Sequence, residues 1–266
     1  MGYNNLCSKE QKRRIKMKKV FAILMSCLLA LTMVACSSET PTETTTPTDT
    51  TEPTETTEAV EPIDSSKVIT YDEYSAAELD TEVVVETYVQ ATQSWWDNQI
   101  TIYSQDKDGG AYFIYNAACT EEDAAKLVPG TKILVQGYKS EWAGEVEIVD
   151  GRFEILEDDT YVAEAVDVTE ELGTDTLIEK QNQKVSFTGL TVEPSIAPEG
   201  NEVAFLYSSD GSGTREDNND LYFNVSYNGE TYTFVVESYL CNNESEVYKA
   251  VENLNIGDVI DCEGFL

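Results

Sequence analysis

Histidine is absent from this 266-residue chain. Its absence excludes Ser-His-Asp and Cys-His nucleophiles, histidine general bases and histidine-ligated zinc. Positive charge is scarce as well, with 17 Lys and Arg against 50 Asp and Glu. Residues 1–35 hold seven of those cations and one of the acids, Glu10. The remaining 231 residues therefore carry ten basic and 49 acidic side chains, a net charge of −39. Nucleic acid is bound through Lys and Arg that displace counterions, so this charge disfavours it as a partner. Carboxylate-pair chemistry stays open in principle. No local spacing singles out a pair among 49 acids, so no catalytic residue is assigned and the chain is read as a non-enzyme. Long apolar runs are lacking too. The run Phe21 to Ala35 is about 15 residues, short of the ~20 that a spanning helix needs.

That run has a distinctive frame. Lys16, Lys18 and Lys19 precede it, and Met33-Val34-Ala35-Cys36 closes it, followed by Ser37 and Ser38. The order of basic region, apolar region, small residue and cysteine resembles a bacterial lipoprotein signal with its lipobox. The resemblance implies that Cys36 is lipidated and becomes the mature N-terminus. The protein would then be anchored to the extracellular face of the bacterial cytoplasmic membrane by lipid rather than by a spanning helix. The segment beginning at Met17 is a complete signal by itself, which points to Met17 as the true start. Ser37 to Pro62 is built from Thr, Pro and Glu with almost nothing apolar. It cannot bury enough surface to offset chain entropy, and is expected to be a disordered, extended tether.

Roughly 200 residues remain, enough for one large or two small domains. They contain a repeat. At an offset of 121, Asn98 to Ile102 meets Asn219 to Phe223, and Phe113-Ile114-Tyr115 meets Phe234-Val235-Val236. Further on, Cys119 answers Cys241, Gly130 to Ile133 answers Gly257 to Ile260, and Gln136-Gly137-Tyr138 answers Glu263-Gly264-Phe265. Upstream, Glu82 to Val85 answers Lys184 to Phe187. Several matches in one order indicate two domains of one type. The first is placed at 63–160 and the second at 161–266, after a signal at 1–35 and a lipidated linker at 36–62.

Alternating β-branched and aromatic residues predict strands at 82–90, 99–104 and 111–116. Thr120-Glu121-Glu122-Asp123 then predicts a capped short helix. Strands at 132–139 and about 146–149 follow, joined by a hairpin over 140–145. In the second copy, Asn242 or Asn243 is expected to cap a helix whose Val247, Val251 and Leu254 share a face. Three strands, a helix and two strands is the order of an OB-fold, a five-stranded Greek-key barrel. The expected fold is all-β: two OB-like barrels in tandem, each with a helix between strands three and four. With its WWDN, QDKDGG and VPGTKI…GYKSEW stretches, the region 68–266 resembles the tandem OB-fold lipoproteins of anaerobic Gram-positive bacteria. One departure stands out. The second copy stops at Leu266, just after its fourth strand, so that either another segment closes the second barrel or the C-terminus is truncated.

OB-folds usually bind across strands two and three, between the loops joining strands 1–2 and 4–5. Those loops carry all three tryptophans, Trp95 and Trp96 in the first and Trp142 in the second. Tyr103, Tyr112 and Tyr115 lie on the strands between. Together they form a candidate aromatic rim for a glycan, peptide or protein ligand. The competing reading is packing, at the barrel mouth or against the neighbouring domain. A structural subunit of a membrane-associated complex is the alternative function. Asp106 to Gly110 and the polar stretch Asp210 to Asp220 carry acids in loop contexts, but a hairpin turn and a solvated loop explain them better than calcium does. No metal or cofactor is assigned. Cys119, Cys241 and Cys262 are read as small packing residues, with a Cys241–Cys262 disulfide as the alternative.

Overall fold

A computed structural model describes residues 61–266, which lie within one compact unit, Ala59–Leu266. The signal, Cys36 and most of the tether fall outside the described residues. The first α-helix among the described residues is short, α1 (Tyr71–Ala76). Thr70 Oγ1 accepts from the Glu73 amide, and the Glu73 carboxylate accepts from the Thr70 amide, a reciprocal cap. At the other end, buried Lys139 donates to the carbonyls of Tyr74, Ser75 and Ala77 at 2.8–3.0 Å. A cation there satisfies carbonyls that the helix itself leaves unpaired.

Strands β1 (Glu82–Thr92), β2 (Gln99–Gln105) and β3 (Ala111–Ala118) form a meander. The one-turn helix α2 (Glu121–Ala124) follows, capped by Thr120 as its sequence predicts. Next come β4 (Thr131–Trp142) and β5 (Glu145–Thr160). The sheet closes in the order β1-β2-β3-β5-β4. Closure depends on β5, which pairs along β4 and also runs parallel to β3 at Phe113↔Glu147 and Ile114↔Ile148. This strand is much longer than the 146–149 predicted. It continues through a bend at Asp150 (φ 50°) and Gly151, where its register with β4 shifts. Inside sit Val85, Val89, Ile102, Ile114, Ile133, Val135 and Ile148, each 1% exposed or less. The first copy is an OB-like barrel by this strand order.

The second copy carries β6 (Val166–Asp167), β7 (Lys184–Glu193), β8 (Ser195–Ile196), β9 (Glu202–Val203), β10 (Leu206–Tyr207), β11 (Leu221–Tyr227), β12 (Glu230–Val236), α3 (Glu246–Glu252) and β13 (Val259–Phe265). Helix α3 is capped by Ser245, two or three residues later than the asparagines suggested. Its sheet runs β10-β11-β7-β13, with β12 on β11 and β6 parallel to β7. In the first copy β1 and β4 pair as Val83↔Gly137, Val84↔Gln136 and Val85↔Val135. In the second, β7 and β13 pair as Val185↔Gly264, Ser186↔Glu263 and Phe187↔Cys262, the positions that the repeat aligns. One alignment slips by a residue. Ile114 lies opposite Ile102, and Phe234, not Val235, lies opposite Phe223. The cause is the connecting turn, only Asn228-Gly229 in the second copy.

The expectation of two closed barrels holds for the first copy only. The second is an open sheet. Among the described residues no strand lies between β12 and β13, so each has a neighbour on one side alone.

Candidate functional site

The six aromatic candidates do not form one rim. Trp95 is partly buried against the barrel core, with its indole Nε1 donating to the Cys119 carbonyl at 2.9 Å. Tyr112 is 1% exposed and packs edge-on against Tyr71 and Tyr74 of α1. Tyr103 is buried at the seam between the two copies, stacked on Phe265 with ring centroids 4.4 Å apart. Trp96, Trp142 and Tyr115 are exposed, the tryptophans at 74% and 72%. Strand register separates these two indoles. β1 and β4 run antiparallel, with Glu82 opposite Tyr138 and Tyr88 opposite Lys132. Trp142 therefore lies beyond the start of β1, and Trp96 beyond its end. The loops expected to converge sit at opposite ends of that strand.

A concave feature of the described residues lies elsewhere. In the second copy the inner face of the sheet opens into an apolar groove of about 500 Å³. Phe187, Phe223, Phe234, Ile260 and Cys262 form its floor. Val247, Val251 and Leu254 of the α3 region form one wall, the shared helical face read from sequence. Tyr103 and Phe265 bound the end nearest the first barrel. Along β13 the pattern alternates, with Val259, Asp261 and Glu263 exposed and Ile260, Cys262 and Gly264 half-buried. The equivalents in the closed barrel, Ile133 and Val135, are fully buried. The groove is thus the apolar inner face of the open sheet.

Its charged groups are acidic. Glu237, Asp261 and Glu263 line it, with no lysine or arginine among the lining residues. Glu237 also ties the copies together, accepting from Gln93 Nε2 at 3.2 Å and from the Tyr103 hydroxyl at 3.3 Å. Burial and the Glu237 carboxylate hold the Tyr103 hydroxyl above its ordinary pKa. Burial, with added repulsion from Glu147 and Glu237, raises the Glu145 carboxyl. Cys241 and Cys262 are both free and both line the groove. Burial, then Asp261, pushes the Cys262 thiol up to about 11. Burial, then Glu237, raises Cys241. These thiols stay protonated at neutral pH, which suits apolar lining and not nucleophilic attack.

The other acid-rich stretches are occupied locally. Asp106 Oδ1 accepts from the amides of Asp108 and Gly110, and Gly109 takes a positive φ of 94°, so the segment is a hairpin turn. In the second-copy insertion, Asp210 accepts from Ser212, Asn219 accepts from Thr214, and Asp220 accepts from Ser238. With Tyr222 and Tyr239, that insertion borders a smaller polar cleft.

Sequence reasoning missed the groove as a site. Two signals pointed to it, the unmatched fifth strand and the apolar face of α3.

Neither a protein-family model nor a curated protein sequence matches the chain. Sixteen chains of solved structure resemble it. One, described as "Structural mimicry for functional antagonism", is 8% identical with a TM-score of 0.33, over 70% of this chain and 82% of that one. Another is the Ifi202 HINa domain in complex with 20 bp double-stranded DNA, 7% identical, TM-score 0.31, over 59% and 74%. A third is a deletion mutant of the single-stranded DNA binding protein from Thermus aquaticus, 13% identical, TM-score 0.21, over 70% and 86%. Likenesses this distant carry no ligand with them.

Proposed function

We propose that the chain is a non-catalytic binding protein, held at the outer face of a bacterial cytoplasmic membrane through lipidated Cys36, whose ligand is a peptide or protein segment. One observation carries this reading. The second copy is an open sheet with no strand between β12 and β13 among the described residues, and its apolar inner face meets solvent. An open apolar concavity with a few polar groups at its edge is the usual form of a binding site. The acidic rim disfavours nucleic acid, as the overall charge does. Exposed Trp96 and Trp142 stand as accessory contacts rather than as one platform.

Panning a random 12-residue peptide library on the immobilised chain tests this. Val247→Arg is the blocked control. Val247 is half exposed at the groove wall, so a guanidinium there obstructs the mouth without entering the core. Peptides that bind the natural chain and not the variant are expected. Equal recovery on both would remove the groove as the ligand site.

A further inference from the structure

The first copy holds the pattern for what the groove accepts. There β5 lies between β3 and β4, parallel to one and antiparallel to the other. The second copy reproduces both flanking strands, and β13 repeats the pairing of β4 from Cys262 to Phe265. That likeness in register ends there, because the β7–β13 ladder shifts by one residue between Cys262 and Ile260. Yet β12 and β13 each present one edge with no ladder partner among the described residues. The glycine pair shows the difference in atoms. A Cβ on Gly137 would meet Ile148 Cγ2 at 2.6 Å and the Val149 carbonyl at 2.8 Å, both belonging to β5. A Cβ on the equivalent Gly264 would meet nothing within 4 Å.

We infer that the second copy is a strand acceptor, closed by an extended segment of a partner protein that is apolar at alternate positions and basic between them. This deepens the binding function proposed above and rests on it. The segment runs parallel to β12 and antiparallel to β13, as β5 does to β3 and β4. Its contact with β12 falls at Thr233 and Phe234, the positions equivalent to Phe113 and Ile114. Strand addition of this kind draws affinity from main-chain hydrogen bonds and specificity from alternate side chains. The inward side chains meet Phe234, Ile260 and Cys262. The outward ones meet the carboxylates of Glu237, Asp261 and Glu263. Asp261 already accepts from the Gly189 amide and Glu263 lies 3.8 Å from Lys184, and the net negative charge that remains favours lysine or arginine there. With β12 and β13 at seven residues each, the segment needs roughly seven residues, about 23 Å of extended chain.

The test uses the full chain after Cys36 and one probe, an acetylated and amidated (Lys-Val)4-Lys peptide. Two controls keep its charge and composition: one is N-methylated at alternate residues, the other has the same residues in blocks. Binding is read by anisotropy. Alkylation of Cys241 and Cys262 is followed by mass spectrometry, with Cys119 in the closed barrel as internal reference. Strand addition predicts saturable binding, at least about tenfold weaker for the N-methylated peptide because several hydrogen bonds are lost. It also predicts slower alkylation of Cys241 and Cys262 with Cys119 unchanged. Equal binding of the N-methylated or block peptide, with Cys262 protected, would overturn strand addition and leave peptide capture by the groove standing. Absence of saturable binding, or binding that leaves Cys262 unprotected, would overturn the acceptor itself. The library panning then decides separately whether the groove takes any peptide.

Discussion

Gly137 and Gly264 hold the same place in two copies of one design, and their surroundings differ completely. Gly137 is roofed by β5, while Gly264 looks into open space. The same contrast runs through the neighbours. Ile133 is 0% exposed, whereas its counterpart Ile260 is only half-buried. The glycines share their cross-strand register, and the difference between them is β5, which has no counterpart over Gly264 among the described residues. In the first copy a meander, a helix and a fourth strand shape the sheet. Sealing its interior takes the fifth.

Truncations should expose this most strongly. Ile133→Ala is expected to cost about 2–5 kcal/mol, the range for a fully buried aliphatic side chain. Ile260→Ala should cost about 1–2 kcal/mol, since water already reaches the site. Equal losses in urea unfolding would mean that the second copy is sealed in solution. Gly137→Ala forces a methyl into β5 and should destabilise by about 1–3 kcal/mol. Gly264→Ala should be neutral or stabilising by up to about 1 kcal/mol, through reduced freedom of the unfolded chain.

Two carboxylates of β5 move stability in opposite directions with pH. Asp159 is held at about 2, below its ordinary 3.8, mainly by its bond to Lys107 and then by Tyr88. Its contribution is present above pH 3.8 and disappears as pH falls toward 2. Asp159→Asn should therefore lose more stability at pH 7 than at pH 2. Glu145 is raised above 4.5. What it contributes is greatest below pH 4.5 and is lost as pH rises through its raised value. Glu145→Gln should accordingly be more favourable at pH 7 than at pH 4. Parallel pH responses of the two variants would contradict this assignment.

The smallest effects belong to the tryptophans. Trp96→Phe and Trp142→Phe should each remove much of the iodide-quenchable emission, and Trp95→Phe little of it. Strong loss on Trp95→Phe would mean that its loop opens in solution.

Much of the first barrel was legible because β-branched residues alternate over short spans, as in Glu82 to Gln90 and Gln99 to Ser104. Thr120 announced its helix through local hydrogen bonding, which a four-residue window contains. β5 was misjudged because Asp150-Gly151 reads as a stop, while the chain merely bends there and goes on pairing with β4. Helix α1 was overlooked although Thr70 and Glu73 form a capping pair three residues apart. The aromatic candidates show the deeper limit. Residue type marked all six, but exposure depends on partners distant in sequence: Trp95 on Cys119, Tyr112 on Tyr71, Tyr103 on Phe265. The groove depends on pairing that is not made, and a composition-based reading has no term for it.

The stacking of Tyr103 on Phe265 gives one ring two memberships. It is a side chain of the closed barrel and also an end wall of the groove. Cutting the chain at residue 160 would uncover the ring and strip Glu237 from its hydroxyl. Heat should therefore melt the two copies together in one transition, and a segment seated in the groove should raise the melting temperature of the first barrel without touching its core.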